Sequence, residues 1–191
     1  MKKRSVYALG LAGVAGLAFT LPAAAQQPGA GGQEATADAR AAAAARCTSQ
    51  WFEMYTVEGK RMAVAAGGGK GAKVIAWKNN GGSEQDWCLE RAAEGGRYLH
   101  PRHAPWLCLD VPGSKYANGT KLVVWDCNGR ENQRFYLFKA SSTSSRFTLE
   151  VAKRFKDYCA DTHSPANGEP VQLRKCNNTK RQLWNAELKG W

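Results

Sequence analysis

The side chains of this sequence with chemical reach are six cysteines, three histidines and a scatter of carboxylates. Cys47, Cys88, Cys108, Cys127, Cys159 and Cys176 form an even set in a chain that begins like an exported one, the setting in which thiols pair with one another. No CxxC spacing accompanies them, so the usual zinc frameworks are excluded, and with every thiol paired no cysteine nucleophile remains. No serine is placed with a base. His100 and His103, in His100-Pro-Arg-His103, and His163 fall in or beside turn-forming segments. A two-histidine metal site is conceivable there, but solvated loop histidines are the simpler expectation. Asp110 and Asp161 each follow a cysteine by two positions but belong to separate repeats. A glycosidase needs two carboxyls about 5 to 10 Å apart on one sugar. This inventory points to a binding protein, with no catalytic residues, no cofactor and no metal.

What must position these residues is a threefold repeat. Lys73-Val-Ile-Ala-Trp77 precedes Gln85-Asp-Trp87; Lys121-Leu-Val-Val-Trp125-Asp-Cys127 precedes Gln133-Arg-Phe135; Val171-Gln-Leu-Arg-Lys-Cys176 precedes Gln182-Leu-Trp184. The closing aromatics are 135 − 87 = 48 and 184 − 135 = 49 residues apart. Each unit divides into four strand-favouring runs. These are Trp51–Val57, Arg61–Ala65, Val74–Trp77 and Trp87–Glu90 in the first, and Arg97–His100, Trp106–Val111, Leu122–Trp125 and Phe135–Phe138 in the second. The third has Arg146–Val151, Asp157–Asp161, Val171–Arg174 and Trp184–Leu188. Turn chemistry separates them at Gly67-Gly-Gly69, Asn79-Asn-Gly-Gly82, Asn118-Gly119, Asn128-Gly129 and Asn167-Gly168. The expectation is an all-β domain of about twelve strands in units of about 47–90, 91–139 and 140–191. Three four-stranded units can close about an axis and so remove exposed sheet edges. Trp87, Phe135 and Trp184 would then share the core, with the preceding glutamines bonding backbone or ligand.

The repeat also selects among disulfide pairings. Cys108 with Cys127, and Cys159 with Cys176, occupy equivalent places in the second and third units, while Met62 and Asn79 hold those places in the first. Cys47 and Cys88 pair by elimination. Each short bridge contributes roughly 3 kcal/mol if unstrained.

The N-terminal 46 residues differ in kind. Lys2-Lys3-Arg4, an apolar run from Val6 to Phe19 and the small-residue stop Ala23-Ala24-Ala25 have the layout of a secretory signal, expected to occupy residues 1–25. The apolar run is too short to span a bilayer. Residues 26–46 hold no large apolar side chain and are expected to be a disordered linker, with Ala39 to Arg46 helical for a turn or two. The product is therefore expected to be secreted, extracellular or periplasmic, and the Ala-rich signal looks bacterial. For that reason the sequons Asn118-Gly-Thr120 and Asn177-Asn-Thr179 carry little weight. Residues 47–191 suffice for one domain.

The formal charge is +11, or 11 − 3 = +8 without Lys2, Lys3 and Arg4. From Ala140 onward nine Lys or Arg stand against five Asp or Glu. Such a basic face attracts acidic glycans, nucleic acid or phospholipid, or simply keeps an exported protein soluble. Specific nucleic-acid binding is not expected, because few aromatics accompany the charge beyond Phe155 and Tyr158.

The second unit, with Cys-Leu-Asp-Val at 108–111, Asn118-Gly119, Val-Val-Trp-Asp-Cys at 123–127 and Asn132-Gln133-Arg-Phe135, resembles the ricin B-chain type β-trefoil lectins. The third is similar, through Cys-Ala-Asp at 159–161, Asn167-Gly168, Val-Gln-Leu at 171–173, Cys176 and Gln182-Leu-Trp184. The resemblance covers 47–191. It implies a sugar pocket in each unit: an Asp just after the first Cys accepts sugar hydroxyls, an aromatic near the second Cys stacks on the ring, and a polar pair ending in Gln completes the contacts. Carried over, the pocket in the second unit comprises Asp110, Trp125, Asn132 and Gln133, with Val123 where a Gln is often found and Tyr116 as a second aromatic wall. The third keeps Asp161, Gln172 and Gln182 but has Arg174 and Arg181 in place of the aromatic and the Asn, which implies either an acid-sugar site or a lost one. The first retains Trp77 and Gln85 but has Val64 for the Asp, and reads as structural only.

One shallow pocket binds sugar with about millimolar affinity, so a glycan or polysaccharide partner implies several pockets or copies. A further resemblance gives an alternative. Cytolethal distending toxins are similar in using small exported proteins with one ricin-type trefoil and a loose N-terminal segment, which implies a cell-binding or accessory subunit with a toxin or enzyme partner chain, or a scaffold for protein interaction.

Overall fold

The computed structural model describes residues 36–45, 47, 50–151 and 157–189. The expected signal, 1–25, lies outside them, as do residues 26–35 and 46 of the expected linker. Within that linker, where a helical turn or two was expected over Ala39 to Arg46, α1 (Ala37–Ala45) is helical. Alanine has the highest helix propensity, Asp38 sits in the first turn where it complements the helix dipole, and the Arg40 guanidinium lies 5.3 Å from the Trp106 ring centroid. That tertiary contact supports a helix too short to persist alone. Helix and strands belong to one unit, Glu34–Trp191.

Twelve strands succeed the helix, four to a unit: β1 (Phe52–Thr56), β2 (Arg61–Val64), β3 (Val74–Trp77) and β4 (Asp86–Arg91); β5 (Arg97–Pro101), β6 (Leu107–Asp110), β7 (Val123–Asp126) and β8 (Phe135–Lys139); β9 (Phe147–Val151), β10 (Tyr158–Thr162), β11 (Glu169–Lys175) and β12 (Trp184–Leu188). The first and last strands of each unit form a closed six-stranded barrel in the order β1-β12-β9-β8-β5-β4, with β4 returning to β1. Long antiparallel pairings join successive units, as between Phe52–Thr56 and Trp184–Leu188. Short ones, such as Arg97 with Phe135, lie within them. Closure leaves no barrel edge open to pairing with another chain. The middle strands form three hairpins, β2-β3, β6-β7 and β10-β11, linked to one another by Lys73 with Val123, Lys121 with Gln172, and Glu169 with Ala76. This is the expected β-trefoil.

The core repeats the symmetry layer by layer. Met54, Leu99 and Leu149 stand at the third position of β1, β5 and β9, and Trp87, Phe135 and Trp184 at or near the start of β4, β8 and β12; all six are fully buried. Val74, Leu122 and Val171 close the hairpin end. Burying an indole strands its N–H unless it finds an acceptor. Trp87 Nε1 donates to the Met62 carbonyl at 2.8 Å and Trp184 Nε1 to the Ala160 carbonyl at 3.1 Å. Phe135 occupies the equivalent place with no donor to satisfy. Three disulfides pin the units to themselves and to the N-terminal segment: Cys47–Cys88, Cys108–Cys127 and Cys159–Cys176.

Trp184→Ala removes the largest buried side chain of the third unit and strands the Ala160 carbonyl, so we expect a stability loss of about 3 to 5 kcal/mol by urea unfolding. An unchanged midpoint contradicts the assignment of Trp184 to the core.

Candidate functional site

Each unit carries a cleft between its hairpin and the 3-10 turn that ends in the repeated Gln. In the second unit that turn is Glu131–Gln133, and the backbone N–H of Val111 bonds the Asn132 carbonyl at 2.8 Å, tying the end of β6 to it. Asp110, 3% exposed, lies at the floor. Asn132 Nδ2 and Gln133 Nε2 both donate to its Oδ2 at 2.8 Å. Burial raises the pKa of Asp110 above the ordinary carboxylate value, and the bonds from Gln133 and Asn132 pull part of that back. The cleft above it measures about 430 Å³ and is bounded by Trp125, Pro112, Ser114, Asn128 and Arg130.

Trp125 is 41% exposed and is braced from the first unit. Gly71, in left-handed backbone at φ +84°, comes so close that a Cβ there would lie 3.6 Å from the indole. Lys70 Nζ sits 4.8 Å from the ring centroid and pairs with Asp126 Oδ2 at 2.6 Å. Neither Lys70 nor Gly71 lines the cleft. Lys70 is not among the residues that the sequence singles out, although the repeat contains the signal. Lys70-Gly71 aligns with Asn118-Gly119 and Asn167-Gly168, and those asparagines brace the neighbouring unit by accepting the backbone N–H groups of Lys175 and Lys78 at 2.8 Å.

The structure corrects four expectations. Gln133 and Gln182 are fully buried and line neither cleft. Their amides are used up on protein: Gln133 bonds Asp110, the Asp126 carbonyl and the Asn128 N–H, and Gln182 bonds the Lys175 carbonyl and the Asn177 N–H. Tyr116 packs on the core and does not wall the second cleft. Gln172 stands opposite Asp161 in the β10-β11 register, yet it lies outside the third cleft, and its amide oxygen would lie 3.9 Å from a Cβ added at Gly119 of the second unit. His100, expected in solvent, is 1% exposed, because it lies in β5 against the Cys108–Cys127 sulfurs and bonds the Pro105 carbonyl and Glu90. Burial lowers its pKa against the pull of Glu90. Its grouping with Cys108 and Cys127 offers no thiolate to a metal, since both sulfurs are bonded to each other.

The third cleft, about 460 Å³, has Asp161 at the same place, with Arg174 and Arg181 where the second has Trp125 and Asn132. Burial raises the pKa of Asp161 too, offset by the hydrogen bond with Gln182 and the charges of Arg174 and Arg181. The first cleft, about 470 Å³, is open as well, but it is lined mostly by Ala63, Val64, Ile75 and Trp77, with Glu84 as its one carboxylate. The register corrects the expectation for Val64: Ala63 stands opposite Ile75 where Asp110 and Asp161 stand opposite Val123 and Gln172, and Val64 packs in the core.

Two family models match the chain. One, the ricin-type beta-trefoil lectin domain, covers residues 95–190, and the other, described as ricin-type beta-trefoil lectin domain-like, covers residues 49–125. The chain belongs to the ricin-type β-trefoil lectins. No curated protein matches it by sequence. Among solved structures this lectin domain is similar to the Macrolepiota procera ricin B-like lectin in complex with lactose (19% identity, 73% of this chain and 96% of that one, TM-score 0.62). It is also similar to the cytolethal distending toxin from Actinobacillus actinomycetemcomitans (18%, 71% and 88%, 0.57). A third likeness is to 1,3Gal43A, an exo-β-1,3-galactanase from Clostridium thermocellum (20%, 74% and 31%, 0.67), so the ricin-type domain here spans about a third of that enzyme chain. At such identities the likeness is one of fold.

A carboxylate whose pKa rises on folding opposes stability above that pKa, and the penalty disappears as falling pH protonates it. Asp110→Asn is therefore expected to be at least as stable as the parent at pH 7, with the difference shrinking as the pH falls through the raised pKa of Asp110. Urea unfolding across that range measures it. A variant much less stable at neutral pH contradicts the reading.

Proposed function

We propose that the second-unit cleft binds a sugar ring, and that the protein is an exported lectin acting on glycan or polysaccharide. The observation that carries this is the juxtaposition of a buried carboxylate, destabilised by its own burial, with a solvent-exposed tryptophan across an open cleft. Neither serves the fold well, and together they suit a carbohydrate. Asp110 Oδ1 accepts a pair of ring hydroxyls while Oδ2 stays engaged by the two amides. The indole of Trp125 covers the apolar C–H face of the ring. Asn132 lends its remaining polar capacity to the same hydroxyls, and Gln133, out of reach of ligand, holds the carboxylate at its angle.

The three disulfides and the signal expected at residues 1–25 support export. Among the described residues no helix is long and apolar enough to cross a membrane. A second reading, an accessory subunit with a toxin or enzyme partner chain, is supported by the presence of this fold in a cytolethal distending toxin and in a galactanase. In that role the helix docked through Arg40 on Trp106 would present the N-terminal segment to the partner.

A glycan array of the disulfide-intact protein, with Asp110→Asn and Trp125→Ala beside it, tests the proposal. Loss of one charge-assisted hydrogen bond is worth about 1.5 to 3 kcal/mol, so selective binding should fall by about tenfold or more in Asp110→Asn, with the fold intact by near-ultraviolet circular dichroism. Selective glycan binding that survives both substitutions overturns the site.

A further inference from the structure

We infer that the third-unit cleft is built for an acidic sugar, a ring that offers hydroxyls on one side and a carboxylate or sulfate on the other. The inference rests on the lectin reading above and extends it to a second site of different chemistry. In the threefold alignment Trp77, Trp125 and Arg174 are equivalent, as are Asn132 and Arg181. The third unit has therefore exchanged both neutral binding groups for guanidiniums while retaining the buried carboxylate, Asp161, at 4% exposure.

The cleft also carries an excess of positive charge. Arg174, Lys180 and Arg181 line the cleft against the single negative charge of Asp161, a balance of 3 − 1 = +2. In the second cleft Arg130 and Asp110 cancel, 1 − 1 = 0. Among the described residues none of these three cations forms an ion pair, and the one side-chain contact of Arg174 is with His163, Nη2 to Nδ1 at 3.3 Å. Lys180 and Arg181 lie in the 3-10 turn that the buried Gln182 anchors, so their backbone is fixed while their side chains face the cleft. A guanidinium offers a planar fork to a carboxylate or sulfate and can lie flat on a sugar ring as an aromatic does. An anion on the substrate must avoid Asp161, which leaves the arginine side for it and the hydroxyls for the carboxylate. The chain would then have two sugar sites, one neutral and one acidic. A polysaccharide that carries both kinds of residue would meet the need for multivalency that a single weak pocket imposes.

The test separates a built site from simple attraction of polyanions. The mature protein is titrated by NMR with four probes of similar length: an oligogalacturonate, a chondroitin sulfate oligosaccharide, a neutral galacto-oligosaccharide and single-stranded DNA. Parent, Arg174→Ala, Arg181→Ala, Asp161→Asn and Asp110→Asn are compared. The expected result is that one of the acidic saccharides, carboxylated or sulfated, binds in preference to DNA and shifts the signals of residues around Arg174. Its affinity should fall about tenfold in Arg174→Ala, and likewise in Asp161→Asn. Asp161→Asn is the decisive variant. Removing a negative charge strengthens nonspecific polyanion binding but replaces the charged hydroxyl acceptor that the site requires with a weaker neutral amide. Acidic saccharide binding that is unchanged or stronger in Asp161→Asn, equal binding of DNA, or no binding near Arg174 overturns the inference. Failure of the second-unit reading shows separately, as neutral saccharide binding that is indifferent to Asp110→Asn.

Discussion

Every cleft in this lectin domain depends on one buried amide. Gln85, Gln133 and Gln182 accept the backbone N–H groups of Asn80, Asn128 and Asn177 on Oε1 at 3.1, 2.8 and 2.8 Å. They donate from Nε2 to the carbonyls of Lys78, Asp126 and Lys175 at 2.8, 2.9 and 2.9 Å. Each side chain thus staples the end of a hairpin strand to the turn that leads into the next barrel strand. With no water to substitute for them, these backbone groups would each cost about 1 to 3 kcal/mol if left unpaired. Two residues later the chain must bury Trp87, Phe135 or Trp184, so one short signature fixes both the core and the geometry of the loop above it.

That division of labour explains how three clefts on one scaffold have come to differ. The amide and the aromatic satisfy the fold, which leaves the neighbouring positions free to vary. Ala63, Asp110 and Asp161 set the floor, and Trp77, Trp125 and Arg174 set the wall. The result is an apolar cleft, one suited to hydroxyls and one with excess positive charge. Asp110 and Asp161 are held with raised pKa values, a cost that the fold bears without any packing gain.

Much of this was legible in the sequence because it repeats. The strand runs, the aromatic layer and two of the disulfide pairs come from aligning three units, with Cys47–Cys88 left by elimination, and among the described residues the structure has twelve strands and all three bridges at those places. What was hidden depends on contacts between units or on which atoms a side chain exhausts. Lys70 looks like a surface lysine until the linkage of the first and second hairpins brings it over Trp125. His100 sits beside a Pro-containing turn, and only the disulfide packed against it makes it a core residue. Gln133 reads as a ligand contact by type, yet its amide is spent on Asp110, Asp126 and Asn128. The alanine run of α1 suggested a helical turn or two, but without apolar anchors it gives no sign of the Arg40 contact that holds it.

Joint reception of the sugar by the ring and the carboxylate of the second unit is tested most directly by NMR. The Trp125 indole N–H and the Asn132 side-chain amide are followed while a glycan selected by array is added. Both signals are expected to move along one saturation curve while the Trp77 indole stays in place. Movement at Trp77 alone, or saturation with Trp125 and Asn132 unperturbed, would contradict a sugar site built on Asp110 and Trp125.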